Sequence, residues 1–237
     1  MLDLNCDLGE GEGLAHTEAL MRHMTSANIA CGGHAGDSNT TAACVKLAKE
    51  HNVHVGAHPG AASLKGRGPI HIGPEALEKL IAQQVGRLQE LADQAGVPLH
   101  HTKLHGTLYH LTESHQELAD AYVETLRRKW PTTIIYAFAG GRVVNTARNV
   151  GVPAWGEAFA DRAYSDSGQL VPRTEPNALL AMPEEVLTQV REIVANHRVR
   201  SVSGKVLPCN PQTICIHSDT PNSIELVRRV GELLRTQ

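Results

Sequence analysis

Short extended runs alternate with longer helical stretches along the whole chain, a rhythm that predicts βα units around a parallel sheet. The extended runs fall at residues 2–6, 26–31, 53–57, 99–105, 133–139, 153–159 and 213–217. Between them, 74–95 carries the clearest helical stripe: Leu77, Leu80, Ile81, Val85, Leu88, Leu91 and Ala92 share one face, Pro74 suits the first turn and Gly96 supplies the stop. A second helix lies around 186–194, and a closing one at about 222–235 repeats the stripe with Ile224, Val227, Val230, Leu233 and Leu234. Residues 201–208 fit neither period and stay unassigned between a hairpin strand and a loop. Seven βα-like units build either a closed barrel or an open doubly wound sheet, and periodicity does not choose between them. Both architectures put the active site at the carboxyl ends of the strands.

Length and composition narrow the class. No break interrupts the rhythm, and 237 residues suit an α/β barrel, so one domain over 1–237 is expected. A hydrophobic fraction of 41% with 20% charged residues is the balance of a soluble globular chain. The net charge of -3, with Lys and Arg scattered, lacks the footprint of a nucleic-acid binder. No apolar run approaches the roughly 20 residues needed to cross a bilayer. Residues 1–6 already read as a strand rather than as the start of a secretory signal. Five cysteines, Cys6, Cys31, Cys44, Cys209 and Cys215, lack C-x-x-C pairing, which suits reduced thiols and a cytoplasmic location.

Polar residues gather where the extended runs end, the first four times beside glycines. Asn5 to Glu10, Asn28 to Asp37, His58-Pro59-Gly60, Lys103-Leu104-His105-Gly106, Glu157 to Arg162 and His217-Ser218-Asp219 all show this. Loops on rigid strands hold side chains in place for binding and chemistry. Asp7, His34 and His58 offer a carboxylate and two imidazoles to a divalent metal, and a metal-free hydrogen-bonded cluster stays open beside that reading. Lys103 and His105, two apart on one strand, point to the same face, where a lysine binds anions and a histidine transfers protons; an ordinary ion pair of Lys103 with Glu157 or Asp161 is the alternative. Glu157, Asp161, Arg162 and Arg173 supply carboxylates for proton transfer and guanidinium groups for a substrate carboxylate, or else a salt-bridge cluster. Asn5, Asn28, His217 and Asp219 complete the substrate-contact candidates. Cys31 reads as packing rather than as a nucleophile. P-loop, G-x-S-x-G and G-x-G-x-x-G patterns are missing, which argues against the corresponding NTPase, serine-hydrolase and dinucleotide readings.

Three segments, 3–10, 26–37 and 56–60, together with Lys103, His105-Gly106, the run 157–164, 170–173, and Ile214-Cys215 with His217 and Asp219, resemble the LamB/YcsF family over nearly the whole chain. The resemblance implies a seven-stranded (β/α) barrel akin to the polysaccharide-deacetylase type. It also implies the A component of a 5-oxoprolinase: ATP-dependent opening of the 5-oxoproline lactam to glutamate, with partner subunits B and C. Nucleotide contacts would then be unconventional or shared with a partner. As a mechanism, Lys103 and Arg173 bind anionic groups while His105, Glu157 or Asp161 moves protons. Departures from the family's pattern fall on pocket walls: Gly33 and Ala61 stand where aromatics are usual, and the loop 63–70 also differs. Two other functions stay open, a stand-alone metal-dependent amidohydrolase or deacetylase and a non-catalytic subunit that binds a small carboxylate.

Overall fold

The computed structural model describes residues 2–180 and 182–236, without the side chain of Leu64; Met1, counted with the first strand on sequence grounds, lies outside them. Seven parallel strands close into a barrel: β1 (Asp3–Leu8), β2 (Ser26–Ala30), β3 (His54–His58), β4 (Leu99–Lys103), β5 (Ile134–Phe138), β6 (Ala154–Phe159) and a last strand, Thr213–Cys215, which pairs with both β6 and β1. Each lies within or beside one of the seven extended runs. Closure, which periodicity left open, is thereby settled in favour of the barrel.

Helices α1 (Leu14–Met21), α2 (Ser38–Glu50), α3 (Pro74–Ala95), α4 (Gly106–Ser114), α5 (Gln116–Lys129), α6 (Arg142–Asn149), α7 (Pro183–Asn196) and α8 (Ser223–Arg235) belong to the outer layer. Helix α3 forms as its stripe dictates: Pro74 opens it, Leu77, Ile81, Val85, Leu88 and Ala92 are buried, and Gly96 ends it in the left-handed conformation. At α2, Asp37 accepts a hydrogen bond from the Thr40 amide at 2.8 Å and caps the first turn. The unassigned stretch 201–208 holds the turn and second strand of a small antiparallel hairpin outside the barrel, β7 (Arg198–Arg200) with β8 (Val206–Pro208), so the last barrel strand is β9. Among the described residues no helix is long and apolar enough to cross a membrane.

The barrel interior is unusually polar. Side chains alternate along each strand, so Leu4, Cys6 and Leu8 of β1 join the outer apolar core while Asp3, Asn5 and Asp7 face the interior partners. Most barrels of this type fill that space with branched aliphatics. Here the layers are hydrogen-bonded instead. Asp3 accepts from Ser26 and Thr213 at the bottom, at 2.6 and 2.5 Å. Above it, the amide of Asn28 donates to Asn5 at 2.7 Å and to Asp7 at 2.8 Å, its carbonyl oxygen meets His101 Nε2 at 2.7 Å, and Asn5 donates onward to Glu157 at 2.9 Å. Tyr136 stacks on His101 with ring centroids 4.0 Å apart and covers the apolar side of that network.

Asn28 is the junction of this layer, and truncating it strands several buried polar groups at once. Replacement by alanine is expected to lower the unfolding free energy by roughly 3 kcal/mol, measured by urea denaturation. A loss below about 1 kcal/mol would mean that the polar layer is not what orders the interior.

Candidate functional site

A cavity of 640 Å³ opens at the carboxyl ends of the strands, lined among others by Asp7, His58, Arg67, Lys103, His105, Tyr109, Phe159, Arg162, Arg173 and His217. Asn5, Asn28, Glu157 and Asp161 lie beneath it, fully buried, and reach it through the side chains they hold.

At its floor the Lys103 ammonium meets Asp7 at 2.9 Å, Glu157 at 3.0 Å and the Cys215 sulfur at 3.0 Å. Burial favours the neutral amine, but Asp7, the Cys215 sulfur and Glu157 outweigh it and keep Lys103 protonated well above the usual lysine range. Burial likewise works against the Asp7 carboxylate, and His58 and Lys103 reverse that, holding it well below the usual range. The predicted ion pair of Lys103 with Glu157 is present, and Asp7 joins it. Oε2 of Glu157 is buried without a partner among the described residues.

One wall holds a histidine cluster. Oε1 of Glu10 lies 2.8 Å from His34 Nε2, 2.8 Å from His105 Nδ1 and 3.4 Å from His58 Nε2. The rings of His34 and His105 stack in parallel with centroids 3.7 Å apart. His58 Nδ1 donates to the Lys103 carbonyl at 2.8 Å, and His105 Nε2 donates to the Lys65 carbonyl at 3.0 Å. Burial pushes His58 down, but Asp7 and then Glu10 raise it to about 9; burial prevails at His105, which falls to about 4. Four donor atoms, from Glu10, His34, His58 and His105, lie within 4.8 Å of one another. This set differs from the trio read in sequence: Glu10 and His105 join His34 and His58, while Asp7 stands 3.5 Å from His58 and is tied to Lys103 and Asn28.

On the facing wall, Asp161 accepts the His217 backbone N–H at 2.9 Å, His217 Nδ1–H at 3.1 Å and the Thr220 hydroxyl at 2.5 Å. Burial opposes its charge, but His217 and these hydrogen bonds prevail and bring Asp161 down to about 2. Nδ1 being engaged, Nε2 is the His217 nitrogen left for the cavity, which the residue lines. Arg162 donates to the carbonyls of Val171 and Ala178 at 2.6 and 3.3 Å and pins the long loop after β6. Arg173, on that loop, pairs with Asp219 at 3.1 Å through Nη1, and its Nη2 is buried without a partner among the described residues. Asp219 also holds Arg67 at 2.9 Å.

Sequence reasoning passed over Glu10 and Arg67 as functional residues. Glu10 follows Gly9 just past β1, and a carboxylate there was the one missing partner for three strand-end histidines. Arg67 sits in the loop 63–70, where only the departure from the family's pattern drew notice. The departure at Gly33 has a local cause. A Cβ there would run into Gln84 and the Gly60 carbonyl, because the Gln84 amide takes that space to bond both the N–H and the C=O of Gly60, at 3.0 and 2.9 Å. Cys31 is buried, and burial pushes its thiol up to about 12, as packing requires.

The sequence model of the LamB/YcsF family matches residues 2–237. The A component of 5-oxoprolinase from Pyrococcus abyssi is 40% identical over 100% of this chain and 94% of its own length, and its counterpart from Rhodopseudomonas palustris is 40% identical over 98% and 94%. Among solved structures, the lactam utilization protein from Thermus thermophilus superposes with a TM-score of 0.90 at 34% identity, covering 99% of this chain and 97% of that one. A family 4 carbohydrate esterase from Streptomyces lividans, at 11% identity and a TM-score of 0.50, covers 99% of this chain and 88% of that one and shares the barrel alone. With a family match across 2–237 and relatives at 40% identity along its length, the chain belongs to the LamB/YcsF family.

Proposed function

We propose that this chain is the A component of an ATP-hydrolysing 5-oxoprolinase, a cytoplasmic assembly with partner subunits B and C that opens 5-oxo-L-proline to L-glutamate. The observation that carries this reading is similarity along the full chain to relatives named as the A component of 5-oxoprolinase. The cavity supports it with groups suited to a small lactam that bears a carboxylate. An unstrained lactam is a poor electrophile. Transfer of the ATP terminal phosphoryl group to the lactam oxygen creates a leaving group and exposes the carbon to water. Lactam, ATP and two waters then balance to glutamate, ADP and phosphate.

In this reading the unpartnered Nη2 of Arg173 takes the substrate carboxylate, with Arg67 beside it across Asp219. Lys103, already bound to Asp7 and Glu157, sets a fixed positive charge at the floor, below the developing oxyanion. His217, oriented by Asp161 through Nδ1, accepts a proton from the attacking water at Nε2. Proton transfer therefore falls to His217 rather than to Asp161, whose oxygens are engaged by His217 and Thr220. ATP contacts are shared with a partner chain, which accords with the missing P-loop.

A stand-alone amidohydrolase is the second reading, favoured by the Glu10, His34, His58 and His105 donors. Glutamate and ADP release from 5-oxoproline and ATP separates the two. Equal release of both, only with the partner subunits present, is expected; turnover by the chain alone without ATP would replace the proposal with the second reading.

The His217–Asp161 pair also has a signature in acid. A folded-state carboxyl near 2, against an ordinary 3.8, contributes stability that is complete above the ordinary value and lost as pH falls toward 2. Between pH 5 and pH 2 the wild type should lose about 2 kcal/mol more unfolding free energy than Asp161→Asn, in denaturant titrations at each pH. Parallel losses in the two proteins would remove Asp161 as the charged partner of His217.

A further inference from the structure

The histidine cluster contains a hydrogen-bonding conflict that a proton on His58 does not resolve. A carbonyl oxygen only accepts, so His58 carries its hydrogen on Nδ1 toward Lys103, and His105 carries its hydrogen on Nε2 toward Lys65. Their other nitrogens, His58 Nε2 and His105 Nδ1, face each other at 3.0 Å, and both face Oε1 of Glu10. A single hydrogen on His58 Nε2 relieves one of these contacts. It leaves the lone pair of His105 Nδ1 pointing at a carboxylate oxygen 2.8 Å away. His34 adds a third imidazole on the same oxygen at 2.8 Å, with its Nδ1 buried and unpartnered among the described residues.

Buried lone pairs that converge from three imidazoles and a carboxylate are what a divalent transition metal requires. Histidine ligands commonly donate the opposite ring nitrogen to a carbonyl or carboxylate, which fixes the tautomer that faces the metal, and His58 and His105 both do so. Bonds of roughly 2.0–2.1 Å to a tetrahedral ion place neighbouring donors roughly 3.3 Å apart. Four of the six separations here are 2.8, 2.8, 3.0 and 3.4 Å, three shorter than that edge and one close to it, and all six are within 4.8 Å. The surroundings are built to hold the donors. Glu12 accepts the Gly9 and Glu10 amides at 2.5 and 2.9 Å and fixes the turn that presents Glu10. Gly66 packs so closely on the paired rings that a Cβ there would overlap His105 and His34.

We infer that Glu10, His34, His58 and His105 form a binding site for one zinc-class divalent ion on the cavity wall. The inference stands apart from the lactam reading, since it concerns the ion alone. Asp7, Cys215 and His217 also lie close together, but the Lys103 ammonium, 2.9 Å from Asp7 and 3.0 Å from the Cys215 sulfur, already occupies the cationic place there. An ion at the histidine site supplies a Lewis acid facing the same cavity as Lys103.

The test uses the whole chain, stripped with chelator and titrated with Co²⁺ alone. One equivalent should bind and develop the visible absorption of a four- or five-coordinate nitrogen and oxygen site, and Zn²⁺ should displace it. In long-range proton–nitrogen spectra of the wild type, Zn²⁺ should shift His58 Nε2 and His105 Nδ1. Glu10→Gln and His58→Gln should weaken Zn²⁺ binding by about 100-fold or more, beyond the 10–100-fold typical of groups that only support a ligand. His115→Gln, at the exposed start of α5, should bind as the wild type does. Failure of the wild type to take up one equivalent, or unmoved resonances of His58 and His105 on saturation, overturns the site; those wild-type readings decide the matter if a variant does not fold. Unchanged affinity in folded Glu10→Gln and His58→Gln overturns it equally.

Discussion

A lysine ammonium at the floor of a closed barrel, cut off from water, must find its counter-charges in the protein, and much of this interior follows from that demand. Lys103 lies between Asp7 of β1 and Glu157 of β6, so the strands that carry those carboxylates are held at a fixed distance from β4. The carboxylates need further donors in turn. Asn28 and Asn5 provide them, and their own free groups draw in His101 and Thr213. Removing one partner from such a set leaves a buried charge uncompensated, which commonly costs about 3–5 kcal/mol. An apolar filling would be simpler to fold. The polar one fixes a positive charge directly beneath the cavity.

Two histidine systems rise from this floor on opposite walls, and each is oriented by acceptors that never reach the cavity. Carbonyls of Lys103 and Lys65 set the tautomers of His58 and His105, while the Asp161 carboxylate sets that of His217. Residue type alone does not separate these roles. Asp7 and Asp161 are both buried acids at strand ends, yet the first neutralises a lysine and the second positions a ring. Above them, loops supply the guanidinium groups, with Asp219 holding Arg67 and Arg173 side by side.

All seven barrel strands were legible in the sequence because each carries buried residues on both faces, and most of them form a short run of apolar or small residues. Their ends were less so: 99–105 spans β4 and the His105 that leads into α4, since no glycine or proline marks the end of the strand before Gly106. The hairpin of β7 and β8 escaped because only Val199 among its six residues is buried, so no alternation marks it. Strand-end polar residues were legible as a group, since the barrel brings every such end to one face. Their pairings were not. Glu10 and Arg67 come from loops whose path is set by closure of the barrel, and the choice of His217 over Asp161 as the exposed partner depends on a backbone N–H that sequence does not place.

The central claim is that Lys103, Asp7 and Glu157 form one coupled ionic unit, an ammonium held between two carboxylates. It is tested most directly by the unfolding free energies of Lys103→Met, Glu157→Gln and the double variant. The account predicts a loss of about 3–5 kcal/mol for Lys103→Met, with at least about 1 kcal/mol recovered when Glu157→Gln is added, because the second change removes the stranded carboxylate. Additive losses, or a Lys103→Met protein as stable as the wild type, would contradict it.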